Sequence, residues 1–218
     1  FDPVSEMYAE AVKYFKAMTP TASYIAGVDA TLRDGFPVFT EWNDPARDPK
    51  YPTQGALSCK KNYIIGIGDT NSNYDRNLSG AHSPIPQDVD SNMAGKTARA
   101  WTDTLGSLEG IGTSLGTDKV TSGGTENGYL IAGIAYYAHS TDIRPDISGN
   151  QTVETYWMDV LEDGYAHKNQ YWLAAKYGGY KKPDRKAPPS AFNSSTDIWG
   201  GTDVKKTDIR KYNGYELP

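Results

Sequence analysis

Cysteine is nearly absent from these 218 residues. Cys59 stands alone, so no disulfide can close within the chain. That thiol is either buried or paired with a cysteine outside these residues, and it fixes no redox compartment. Long apolar runs are also lacking: no segment approaches the roughly 20 apolar residues that cross a bilayer. An excess of basic residues is missing as well. The 22 Lys and Arg face 27 Asp and Glu, a formal charge of −5 with an isoelectric point near 5.2, whereas a general nucleic-acid surface needs the opposite balance. Neither a Walker loop nor an intact dinucleotide fingerprint occurs. No signal peptide is evident, and a chain opening on Phe1-Asp2-Pro3 reads as an internal piece of something longer.

What is present is loop chemistry. Sixteen Tyr, 22 Gly and 13 Pro accompany a modest 38% hydrophobic content, which suggests a loop-rich protein with an amphipathic surface, more usual outside the cell. The length suits one domain, or one domain and a tail.

Apolar spacing places the elements. Asp2 caps and Pro3 opens a helix whose apolar face is Val4, Met7, Tyr8, Ala11, Val12 and Phe15, ending before Pro20. Residues 19–58 carry many turn formers and read as a loop-rich insertion, with Ser23 to Val28 a candidate short strand. Ile64, Ile65 and Ile67, bounded by glycines, read as a buried strand ending at Asp69. Ala94, Ala98, Trp101, Leu105 and Leu108 place a helix over Ser91 to Glu109. The run from Asn127 to His139 is apolar on most sides and predicts a buried helix. Gln151 to Val160 predicts a second strand. Asn169 to Tyr177 predicts a short helix with Gly178-Gly179 as its stop. Residues 181–218 read as a mostly irregular tail. The order implies an α/β fold with a mainly parallel sheet flanked by helices. Two strands are few for such a sheet, so it is expected to be incomplete at its amino-terminal side.

The chemistry concentrates after the first strand. In Asp69-Thr-Asn71-Ser-Asn73-Tyr-Asp75 the alternating oxygens of Asp69, Asn71, Asn73 and Asp75 suit a hard divalent cation, calcium or magnesium. The same residues also simply make turns. An EF-hand does not fit, because Tyr74 stands where that loop needs Gly and Gly80 where it needs a bidentate Glu.

Catalytic signals are thin. Gly112-Thr-Ser114-Leu-Gly116 matches a nucleophile elbow, but that turn needs a strand before the serine and a helix after it. A helix precedes it here, and a linker rich in Gly and Thr follows. His82, His139 and His167 show no metal-ligand spacing, and His139 suits the carboxyl pole of its helix.

Four segments together resemble the PilY-type (PilY/PilC) family of type IV pilus tip adhesins and assembly proteins. They are Asp2-Pro-Val-Ser-Glu-Met-Tyr-Ala-Glu-Ala-Val-Lys-Tyr-Phe15, Cys59-Lys-Lys-Asn-Tyr-Ile-Ile-Gly-Ile-Gly-Asp69, Ala138 to Val160 with its His-Ser-Thr-Asp-Ile-Arg-Pro-Asp run, and Lys168-Asn-Gln-Tyr-Trp-Leu-Ala-Ala-Lys-Tyr-Gly-Gly179. The resemblance implies that residues 1–180 are the later portion of a von Willebrand factor A-like domain, with 181–218 leading to a next domain. Many such domains hold a divalent cation through a D-x-S-x-S motif, a separate Thr and a separate Asp. Asp69 falls where the separate Asp belongs, Asp2 replaces the usual Thr, and the D-x-S-x-S strand is absent from these residues.

The implied function is non-enzymatic: adhesion or pilus assembly at an extracellular pilus tip, with pilus minor subunits, a host or abiotic surface, or the rest of the parent protein as partners. Two rivals are a structural subunit whose sheet another chain completes, and a hydrolase using Ser114 or a carboxylate pair.

Overall fold

The computed structural model describes residues 3–48, 50–51, 55–68, 75, 93–118, 128–159, 169–179, 211–212 and 215–216. Its elements in order are α1 (Val4–Phe15), a one-turn helix α2 (Ala22–Ile25), a 3-10 turn (Ala30–Leu32), β1 (Asn62–Gly68), α3 (Ala98–Glu109), α4 (Leu130–Ser140), β2 (Val153–Asp159) and α5 (Gln170–Gly179). Two-residue strands β3 (Lys211–Tyr212) and β4 (Tyr215–Glu216) then pair antiparallel; the rest of the tail expected to be irregular lies outside the described residues.

β1 and β2 pair in parallel from Asn62↔Val153 to Gly68↔Asp159. The connection runs through α3 and α4, as a parallel pair requires. α4 is the centre of the molecule, packing against α1, α3, α5 and β2. The sequence fits that place, because Leu130 to Ala135 together with Tyr137 and Ala138 bury all sides of the helix. Its contact with α3 is set by Gly133. A Cβ there would lie 2.1 Å from Thr102 Oγ1 and 2.5 Å from the Thr102 backbone nitrogen, so the two helices touch backbone to backbone. Gly133→Ala should therefore force them apart and lower stability by about 1–3 kcal/mol, measured by urea unfolding.

Tight fits also join sheet and helices. Trp157 lies across Gly66, where a Cβ would sit 2.0 Å from its ring, and stacks on Tyr171 of α5 at 4.1 Å between centroids. Tyr8 of α1 and Thr155 of β2 share a hydroxyl–hydroxyl bond of 2.6 Å, and burial raises the Tyr8 phenol above its usual range.

Several expectations change. The strand over Ser23 to Val28 is instead the turn α2, closed by Gly27 at φ 68°. The helix expected from Ser91 begins at Ala98. Thr97 caps it by accepting from Ala100 N, and Ala94 and Gly95 stand at positive φ in the preceding turn. Gly178 and Gly179 do not stop α5 but form its last turn, where a Cβ on Gly179 would lie 2.4 Å from the Thr155 carbonyl oxygen. On α1, Met7 points outward (61% exposed), while Ser5, Glu6 and Lys13 are buried. β1 is half-buried on one face only. On the other, Tyr63, Ile65 (70% exposed) and Ile67 line up beside Tyr156 and Met158 of β2 and remain exposed. Cys59 is an exposed free thiol, which rules out the buried alternative.

Candidate functional site

α1 begins without a cap from its own flank: Pro3 holds the cap position and no side chain there accepts a helix amide. Four amides at a helix start need acceptors, and here one comes from far along the chain. The Asp75 carboxylate accepts from Ser5 N at 2.7 Å and from Ser5 Oγ at 2.6 Å. Ser5 Oγ in turn accepts from Ile131 N, at the start of α4, at 3.1 Å. One carboxylate thus ties the loop after β1 to the amino ends of α1 and α4, where helix dipoles favour negative charge.

Asp75 is almost fully buried, with the Glu6 carboxyl in hydrogen-bond reach beside it. Burial, then the bond to Glu6, then the repulsion between the two acids push its pKa well above the usual carboxylate range, against the lowering effect of Ser5. These causes favour the neutral form of Asp75.

Of the four predicted cation ligands, Asp75 alone lies within the described residues; Asp69, Asn71 and Asn73 lie outside them, as do Asp2, His82 and His167. Asp75 is drawn inward as a helix-capping group, with both oxygens engaged by Ser5. Among the described residues no group of three His, Cys, Asp or Glu could hold a metal. Those residues do not by themselves form a cation site.

The enzymatic alternatives find little support. Ser114 is exposed, follows the turn after α3, and bonds only weakly to Asp118 at 3.4 Å. No strand leads into it. The carboxyl pair of Glu6 and Asp75 is buried. His139 occupies the last turn of α4, as expected.

A second polar node went unseen in the sequence. Arg144, 4% exposed, grips both oxygens of Asp44 at 2.8 and 2.9 Å and both oxygens of Asp146 at 2.9 Å. Asp142 shapes the same turn by accepting from Arg144 N and Gln151 N. The paired guanidinium holds the Asp44 carboxyl down at about 2. The clamp fixes residues 42–46 of the loop-rich insertion against the turn between α4 and β2. The Asp-Ile-Arg-Pro-Asp run carried the charge alternation that marks such a turn, but its partner Asp44 is 100 positions away. Glu109 plays a comparable part between α3 and α5, accepting from Lys176 at 2.7 Å and from Tyr177.

No helix among the described residues is long and apolar enough to cross a membrane. Residues 1–129 match the family model described as the second domain of PilY1 homologues. Over 95% of its length the chain is 35% identical to the type IV pilus biogenesis factor PilY1 homolog of Xylella fastidiosa, and it spans 19% of that relative. No solved structure matches it. The family read from Asp2 to Phe15, Cys59 to Asp69 and the later segments is borne out: the chain belongs to the PilY1-homologue family, and residues 1–129 carry the match to its second domain.

Proposed function

We propose that the chain is a non-enzymatic adhesion and assembly domain of a type IV pilus-associated protein displayed at the cell surface. The observation that carries this reading is the 35% identity to a pilus biogenesis factor along nearly the whole chain. Parallel β1 and β2 with helices packed on one face agree with the later part of a von Willebrand factor A-like domain over residues 1–180. In this reading a calcium or magnesium ion takes oxygens from Asp69, Asn71 and Asn73, with Asp75 closing the loop onto α1. A divalent ion there would offer a coordination position to a carboxylate of a partner or surface. Calcium and magnesium titrations of the wild type and of Asp69→Ala, followed by calorimetry, test it. Binding should weaken at least about tenfold in the variant; superimposable curves would remove Asp69 from the site.

A second reading, a sheet completed by another polypeptide, is favoured by one observation. Parallel sheets are normally covered on both faces, yet Tyr63, Ile65, Ile67 and Met158 form a continuous exposed apolar strip. Concentration-dependent association in sedimentation, relieved by Ile65→Lys, is the expected sign. A chain that stays monomeric at high concentration would count against it.

A further inference from the structure

Between the outer side of α1 and residues 39–43 lies an open groove of about 600 Å³. Its walls are aromatic: Tyr14, Trp42 and the exposed Phe39. Tyr14 and Trp42 meet nearly at right angles, 5.9 Å between centroids and 85° between planes, so the pair forms a corner. Glu10 and Glu41 also line it, together with Ala11 and Asn43, and no Lys or Arg is part of the lining. A ring face is the negative pole of its quadrupole and attracts a cation within about 6 Å. Two carboxylates beside such faces repel anions.

We propose that this groove receives the cationic side chain, arginine or lysine, of a partner polypeptide. An apolar group could cover the rings but would leave the Glu41 carboxylate beside it without a counter-charge. The guanidinium or ammonium satisfies ring and carboxylate together, and its aliphatic stem lies against Phe39. Glu10 is already engaged, by Thr21 N at 3.0 Å and by Lys13 at 3.5 Å. Glu41 therefore supplies the uncommitted negative charge of the groove.

The groove is also fixed before anything binds. Two residues beyond Trp42, Asp44 is clamped by Arg144 and accepts from Ala46 N at 2.9 Å. Glu10 is pinned by Thr21 at the start of α2. Little loop ordering is left for the moment of binding, which favours affinity. The proposal uses none of residues 69–75 and stands or falls apart from the divalent-cation reading.

The test follows the Trp42 indole N–H in nuclear magnetic resonance spectra of the full 218-residue chain, its signal assigned through Trp42→Phe. The probes are N-acetyl-arginine amide, N-acetyl-lysine amide, free arginine, the neutral N-acetyl-norleucine amide, and glucose. Saturable shifts with the two cations at millimolar concentration are expected. Glu41→Gln, an exposed and nearly isosteric change, should weaken them about threefold, and Trp42→Ala should abolish them. Equal binding of norleucine amide would show a purely apolar groove and overturn the proposal. So would a response to glucose alone, an unchanged affinity in Glu41→Gln, or no saturable shift with either cation. Free arginine binding as tightly as its capped amide would point to a small-molecule site rather than a polypeptide partner, and would overturn that part as well.

Discussion

Arg144→Leu is expected to lower the stability of the fold by about 3 kcal/mol, seen as a lower urea midpoint at constant slope. The guanidinium side chain is 5% exposed and meets four carboxylate oxygens of Asp44 and Asp146. Leucine fills much of the space, so the loss is chiefly electrostatic. Two acids are left facing each other without a counter-charge. Asp44, 18% exposed, suffers more than Asp146, which is 57% exposed and can turn to water. The pH dependence gives a sharper check. Arg144 depresses the Asp44 carboxyl from 3.8 to about 2 in the folded state. A depressed acid contributes stability above its unfolded value and loses it as pH falls through the folded one. The gap between wild type and Arg144→Leu should be full near neutral pH and narrow steadily below about pH 4. A gap that is the same at pH 3 and pH 7 would mean that packing, not charge, holds the loop.

How much of this was legible in the sequence depends on how local each cause is. α4 was plain, because apolar residues on every side of an 11-residue helix have few other homes. β1 and β2 were equally plain from their runs, and their parallel pairing followed from the helices between them. Reading β1 as fully buried failed because, among the described residues, no helix lies on the second face, and a run such as Ile64-Ile65-Gly-Ile67 looks the same whether one face or both are covered. The glycines at 178 and 179 carried a local stop signal, while their tertiary use, close approach to Thr155, is invisible to spacing. Ala94 continued the period of α3 although its backbone stands at positive φ. Ser5 and Glu6 were passed over on a polar stripe of α1. Their burial depends on Asp75, 70 positions from Ser5, and no helical period reports a partner at that distance. The oxygen-rich loop was visible at once, but its chemistry was not, since turn-making and cation-binding draw on the same residues.

Asp75 separates those two roles, and its variants should behave very differently. Asp75→Ala is expected to cost about 2–4 kcal/mol. It strands the Ser5 amide, leaves Ser5 Oγ without its acceptor while still holding Ile131 N, and opens a space where α1, α4 and the loop after β1 meet. Asp75→Asn keeps the shape and a carbonyl oxygen for Ser5 N, so at acid pH it should unfold close to wild type. The two should then diverge as pH rises. In the fold the Asp75 carboxyl is raised well above its ordinary value, by burial first and then by Glu6. A raised acid contributes stability that is fully present below its unfolded value, about 3.9, and is lost as pH climbs through the folded one. Wild type should therefore lose stability relative to Asp75→Asn as pH rises above about 4 and through the raised folded value, until the amide variant is the more stable of the two. Parallel pH profiles would mean that the carboxyl is ionised within the fold, held by Ser5 and the helix amides alone. The neutral form of Asp75 in the fold would then be wrong.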